Sequence, residues 1–351
     1  PYEHRLQPNK LERLLFRKHL PAAMPGPKEH YWADVVNGTG RDCTKGLPKR
    51  GLEKRIEATD GWAACVTRDI LTHDAARMVL FYLHENDHRS HRKGPDSQVD
   101  NLATADKHLA YVLETFGSWE ETCERVGFIM TSDHSQSPIS SESDHIIDLC
   151  EVLDGLSCVE PGRGKEPFGR KDLAVCGNGR VGFIYLNEAR RERLRPAVID
   201  ALSEHVSIDQ IMWRDGDDYV VRSPRGELRF SVADGDGVVD ERDNKWAFEG
   251  DLDAVTGVVE GNDLRTPEYP LALWRIKGAL DLDRVGDIVV TPKLTYEFTD
   301  LAGGHHKGGG DHASLHAQDS LIPFLSTLAD PPLHPTTVDV VPHIVSHFER
   351  A

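Results

Sequence analysis

The chain has 351 residues, 39% hydrophobic and 28% charged, which suits a globular fold with a sizeable core. Asp and Glu outnumber Lys and Arg by 58 to 41, and the formal charge of -17 disfavours a nucleic-acid duplex as partner. No apolar run has the length of a membrane-spanning helix, so no membrane span is expected, and a small anionic substrate would need bound cations to hold it.

Residues 1 to 75 read as helices and loops, with helical apolar spacing from Lys10 to His19 and prolines at 21, 25 and 27. Met78 to Leu83 is a continuous apolar run, the pattern of a strand buried on both faces of a parallel sheet. Val99 to Phe116 has the spacing of an amphipathic helix, and Val126 to Met130 reads as a second buried strand, giving a βαβ unit. From Leu173 to Phe230 the pattern becomes alternating strands with hairpin signals, notably Ser223-Pro224-Arg225-Gly226. A helix is predicted from Pro196 to His205, with Pro196 near its first turn. Gly177-Asn178-Gly179-Arg180-Val181-Gly182 has dinucleotide-loop spelling, but strand-like residues follow it, so Asn178-Gly179 is read as a hairpin turn. Ile288-Val289-Val290 is a third buried strand, leading to a glycine-rich segment that ends at Gly310.

The predicted fold is α/β, with a mostly parallel central sheet flanked by helices and an antiparallel α+β insertion or cap. The expected domain is one incomplete unit with core segments at 76–160 and 276–351 and the cap at 170–275. The six cysteines form no CxxC pair; most sit in apolar contexts where a buried free thiol is the ordinary reading, and no disulfide framework is expected. The chain opens on Pro1 with no signal peptide after it, so it reads as a piece of a longer protein whose compartment stays open.

Three short segments carry the candidate chemistry. Asp87 and His91 stand four apart on what reads as a tight loop closed by Gly94-Pro95. Asp133-His134 follows Thr131-Ser132, and His312 follows Gly310-Asp311. Carboxylates and imidazoles in this number are what a two-metal phosphoryl-transfer site requires. Each segment is expected at the carboxyl end of a strand, where open α/β folds place their sites. A second Ser-Asp-His, at 143–145, is read as a helix N-cap instead.

In order and spacing these segments resemble the alkaline phosphatase superfamily, most closely its type I phosphodiesterase and nucleotide pyrophosphatase branch. That branch has a DxxxHxxGP loop, then SDH(G), then a glycine-flanked His. The resemblance implies that Asp87, His91 and His312 hold one metal, and that Asp133 and His134 hold a second. Ser135 stands where the family usually has glycine. Nitrogen and oxygen ligands together favour zinc, and manganese would fit the same set. His305 and His306 are read as substrate or ligand-shell contacts at most, against ordinary loop histidines.

The implied activity is metal-dependent hydrolysis of a small phosphorylated substrate through a Thr or Ser nucleophile. That nucleophile and its Asp should precede Asp87. Asp34 with Thr39 and Asp60 with Thr67 match only loosely, so both residues are expected upstream of Pro1. A sulfatase, phosphonate hydrolase or phosphomutase relative would use the same ligands, and a catalytically silent metal-binding module is the alternative from another class. Ser132 and Ser314 lack triad partners, and Trp213, Arg214 and Trp246 are cap residues that could shape specificity.

Overall fold

The computed structural model describes residues 4–6, 24–26, 59–74, 76–159, 171–299 and 304–350. The predicted helix at Lys10 to His19 and the pair Asp34 and Thr39 lie outside these residues. The chain forms two compact units, Pro1–Asp87 with Val99–Val126, and His88–Gln98 with Gly127–Ala351.

In the first unit His4–Leu6 pairs antiparallel with Met24–Gly26. Helix Asp60–Thr72 starts where the Thr59 hydroxyl accepts the Trp62 N–H at 3.2 Å, and it buries Trp62, Ala64 and Ile70. Helix Gln98–Leu113, predicted from its spacing, buries Val112 and Leu113 at its end. The Arg68 guanidinium joins the two helices, donating to the Tyr111 carbonyl at 3.1 Å and lying 4.5 Å from the Tyr111 ring centroid. The run Met78 to Leu83 is not a strand. It is irregular, with Met78, Leu80 and Tyr82 exposed and their alternate neighbours half-buried, so one side only is covered.

The second unit is built on an eleven-stranded sheet. From one edge its order is Val258–Glu260, Asp263–Arg265, Val238–Val239, Lys245–Gly250, Gly226–Val232, Asp218–Ser223, Ile208–Asp215, Ile288–Pro292, Val181–Leu186, Leu173–Asn178 and Cys158–Val159. All pairings are antiparallel except Val238–Val239 with Asp263–Arg265 and Cys158–Val159 with Leu173–Asn178. This corrects the expected mostly parallel sheet, and the reason is the connections: two-residue turns at Gly179-Arg180, Gly216-Asp217 and Pro224-Arg225 can join only antiparallel strands. Gly179 supplies the positive φ, 60°, that the first of these turns requires.

The sheet has helices on both faces. Ile211, Trp213, Val220, Ile288 and Val290 share one apolar cluster with Leu194, Val198, Ile199 and Leu202 of helix Arg191–Glu204. Their sequence neighbours Met212, Val221 and Val289 join the other cluster, with Ala272, Leu273, Ile276 and Leu280 of helix Ala272–Leu280. The period-two side-chain alternation of a strand divides one sequence between two cores in this way. Nine of the eleven strands lie between Leu173 and Arg265.

Several local expectations are corrected. Helix Arg191–Glu204 begins before Pro196, which lies inside it. Of Val126 to Met130, only Ile129 and Met130 are in a strand, Ile129–Thr131, and it pairs antiparallel with Phe324–Ser326 in a separate two-stranded ribbon, so no βαβ unit forms there. Ser143–His145 is a short 3-10 turn, and the N-cap of the following helix, Leu149–Val152, is Asp148. Cys150 and Cys158 form a disulfide across that helix and the sheet edge, and Cys65 is also disulfide-bonded, so the free-thiol reading fails for these three residues. Cys123 and Cys176 are in no disulfide.

Candidate metal centre

Helix Glu85–Lys93 carries the first motif, so Asp87 and His91 are one helical turn apart rather than on a tight loop. Asp87 is the last residue of its segment in the first unit; His91 belongs to the second. Gly94, with φ 77°, ends the helix, its N–H bonding the Ser90 carbonyl at 2.8 Å. The helix end lies against the glycine run, where a Cβ on Gly309 would come within 1.9 Å of the His91 carbonyl oxygen. Only glycine permits that approach.

The other two motifs meet because Ser137–Pro138 pairs antiparallel with Gly310–Asp311. The His134 and His312 rings stack with centroids 3.5 Å apart. His91 reaches the same place from its helix, its ring 5.2 Å from His312 and 4.3 Å from His306. Asp133 adjoins His134, with Oδ2 3.7 Å from Nε2, but its side chain is 66% exposed.

Each of three histidines has one ring nitrogen tied. His91 Nδ1 donates to the Gly310 carbonyl at 2.8 Å, His134 Nδ1 to the Ser135 carbonyl at 3.1 Å, and His306 Nδ1 to Glu297 Oε2 at 3.0 Å. For His91 and His134 such bonds fix the tautomer and leave the second nitrogen's lone pair for a cation.

Two carboxylates are buried beside these rings. Glu297 is fully buried on the short strand Glu297–Phe298, paired parallel with Ile146–Ile147, and it also accepts the His306 backbone N–H at 2.5 Å. Asp311 is 2% exposed, lies 3.6 Å from His306 Nδ1 and 3.8 Å from His91 Nδ1, and its Oδ2 has no hydrogen-bond donor. A Cβ on Gly179 would fall 2.3 Å from that oxygen, so the hairpin glycine makes room for it. The Asp311 carboxylate 3.6 Å away, and then the Glu297 carboxylate that His306 hydrogen-bonds, push the His306 imidazolium up to about 10. Burial raises Glu297. Burial is the largest influence on Asp311 and pulls it upward, but the neighbouring His306 imidazolium, the His312 N–H and Glu297 together hold it below the usual carboxylate range.

A buried ion pair sets this ring of loops in place. Arg180 Nε donates to Asp319 Oδ2 at 2.8 Å, both side chains being fully buried. Asp319 also accepts the Ser314 N–H at 3.0 Å and the Ser314 hydroxyl at 2.5 Å, and the Ser137 hydroxyl bonds its other oxygen. The Asp319 carbonyl takes the Ser135 N–H at 3.0 Å, and the Arg180 N–H bonds the His312 carbonyl at 3.0 Å. One carboxylate thus anchors the segments just after His134 and just after His312. Arg180, Glu297 and Asp319 were not singled out from the sequence. Glu297 and Asp319 lie in no motif, and Arg180 read as part of a turn. His306, read there as an ordinary loop histidine at best touching substrate, packs among the other rings.

Of the loose nucleophile candidates, Asp60 begins helix Asp60–Thr72 and accepts the Glu85 N–H at 3.2 Å, while Thr67 is buried in the middle of that helix. Thr67 is therefore not at a helix start, as the predicted nucleophile would be.

Imidazole nitrogens and carboxylate oxygens, with a buried oxygen lacking any donor, form a donor set that fits a divalent cation. Fold and centre together define an α/β protein with a cluster of histidines and carboxylates whose donor atoms lie close together. The sequence pattern of the type I phosphodiesterase / nucleotide pyrophosphatase family matches residues 19–315, so the chain belongs to that family. Among solved structures it is similar to phosphonoacetate hydrolase from Sinorhizobium meliloti 1021, at 15% identity and a TM-score of 0.43, covering 82% of this chain and 56% of that one. It is also similar to murine and human ectonucleotide pyrophosphatase / phosphodiesterase 5, each at 15% identity and TM-score 0.39, covering 87% of this chain and 63% of theirs. The chain thus spans less than two thirds of these relatives' length. No curated protein matches it.

Proposed function

We propose that this chain serves metal-dependent hydrolysis of a phosphoric ester, with a small phosphorylated molecule as substrate. The observation that carries the reading is the meeting of His91, His134 and His312, from three distant segments, as one cluster of rings. The ligand assignment combines that cluster with the family motif: Asp87, His91 and His312 for one cation, Asp133 and His134 for a second. Zinc suits this mixture of donors, and manganese is the second choice.

Bound there, divalent cations would lower the pKa of an attacking hydroxyl or water and neutralise charge on the phosphoryl oxygens. The protein's own part is placement. The Gly310 and Ser135 carbonyls hold the His91 and His134 rings in the tautomer that presents a lone pair. Asp319 fixes the backbone on which His134 and His312 sit. We assign no nucleophile. That gap, with the exposure of Asp133, is what favours the rival reading, a metal-binding module without turnover.

Hydrolysis of bis(p-nitrophenyl) phosphate and p-nitrophenyl phosphate by the full chain separates the two. The hydrolase reading predicts release of nitrophenol that chelator abolishes, zinc or manganese restores, and His134→Ala loses by at least about a hundredfold. Metal binding without turnover of either ester supports the silent module. Turnover indifferent to chelator and to His134→Ala contradicts both readings.

A further inference from the structure

The backbone just after His312 is strained. Ala313 has φ 93°, in the region that favours glycine, and its side chain is exposed, so no packing of its own holds it there. Strained backbone persists only where its surroundings over-determine it. Here both neighbours are tied: the His312 carbonyl accepts the Arg180 N–H at 3.0 Å, and the Ser314 N–H and hydroxyl bond Asp319. A further group closes on the same turn from the other side. The half-buried Arg275 donates to the Leu315 carbonyl at 2.9 Å and to the Ser314 carbonyl at 3.4 Å. It also bonds the Pro270 carbonyl at 3.2 Å, just before its own helix, Ala272–Leu280. All these residues belong to the second unit.

We propose that Arg275 is a positioning residue: it holds this turn and so fixes the direction in which His312 faces its cation. The proposal rests on the reading of His312 as a cation ligand, and it adds a residue that lies in no sequence motif. Two features separate Arg275 from an ordinary helix arginine. First, among the described residues its guanidinium bonds carbonyls only, so no ion pair accounts for its place. Burial pulls it down to about 10 against the opposing pull of the Asp319 carboxylate, and the carbonyl bonds offset that cost. Second, its planar fork spans two successive carbonyls, Ser314 and Leu315, and a rigid fork fixes their spacing as a flexible ammonium does not. Asp319 takes the N–H and hydroxyl of Ser314 while Arg275 takes its carbonyl, so the residue after Ala313 is gripped at both ends of its backbone. Groups that orient a metal ligand from behind change metal affinity without touching the metal.

The test compares wild type, Arg275→Met and Arg275→Lys as chelator-treated full chains, by calorimetric zinc titration and by hydrogen exchange over the peptide that contains Ser314. Arg275→Met is expected to weaken one zinc-binding event by roughly tenfold, leave the other unchanged, and speed exchange at the Ser314 N–H. Arg275→Lys, which keeps the charge and loses the fork, should fall between wild type and Arg275→Met in both readouts. Wild-type zinc affinity in Arg275→Met overturns the proposal, however much its stability falls, because a merely structural arginine would give that result. Weakened zinc binding with wild-type exchange at Ser314 also overturns it, since the effect would not run through the turn. Zinc binding absent from wild type removes the cation reading and the proposal together, whereas binding that Arg275→Met leaves intact removes the proposal alone. Should Arg275→Met fail to fold by circular dichroism, Arg275→Lys decides: weaker zinc binding with faster Ser314 exchange supports the role, and wild-type values in either overturn it.

Discussion

Replacing Asp319 with alanine is expected to destabilise the second unit more than any change at its surface. Arg180 would be left fully buried without its counter-charge, since both side chains of the pair are at 0% exposure. Removing one partner of a buried ion pair costs roughly 3–5 kcal/mol. The Arg180 Nη1 keeps the Tyr296 and Lys293 carbonyls at 2.7 and 3.1 Å, which softens the loss. Against that, the Ser137 and Ser314 hydroxyls lose their acceptor, at about 1 kcal/mol each for an ordinary hydrogen bond. The two corrections nearly cancel, and about 4 kcal/mol is the expected cost. Urea unfolding followed by circular dichroism, with the midpoint shift multiplied by the slope, measures it. The double variant Arg180→Met/Asp319→Leu removes both charges and should cost less than Asp319→Ala alone. A loss under about 1 kcal/mol for Asp319→Ala, or a double variant worse than the single, contradicts the assigned role of the pair.

Two other changes have defined signs. Ala313, next to His312, sits at φ 93°, where a side chain is strained by roughly 1–3 kcal/mol. Ala313→Gly relieves that strain at a cost of about 0.5–1 kcal/mol in chain entropy, so the urea midpoint should rise; a fall contradicts the strain. Asp339 is held below the usual carboxylate range, first by the Arg242 guanidinium at 2.7 and 3.1 Å and further by the Thr336 N–H and hydroxyl. Because its folded pKa is depressed, its contribution is complete above the unfolded value, about 3.9, and is lost as pH falls below that. The gap in melting temperature between wild type and Arg242→Leu should therefore be wide at about pH 6 and narrow towards pH 3. An equal gap at both would contradict the pairing.

How much of this was legible in the sequence depends on the range of the interactions. The hairpins at Asn178-Gly179 and Ser223 to Gly226 were readable because two-residue turns are local chemistry. The strand at Ile288–Pro292 was readable because it is buried on both faces. The same apolar signature misled at Met78 to Leu83, since an apolar run records burial and not the presence of a pairing partner. Sheet direction was missed for a related reason. Buried runs suggest parallel strands, whereas the two-residue connections decide the pairing. At the candidate site, His91, His134 and His312 stood out in the sequence because each lies in a short spaced motif. Asp319 and Glu297 were not, since their roles come from pairings across long stretches of chain: Asp319 with Arg180 and Ser137, and Glu297 through its strand partner Ile146. The Cys150–Cys158 disulfide left only the even cysteine count as a signal.

The claim on which the account rests is that the motif histidines hold divalent cations. Calorimetric zinc titration of the chelator-treated full chain, beside Asp87→Ala and His312→Ala, tests it most directly. Saturable binding in the wild type, with one binding event lost in each variant whose fold is intact, is the predicted result. Identical zinc binding in wild type and both variants would contradict it.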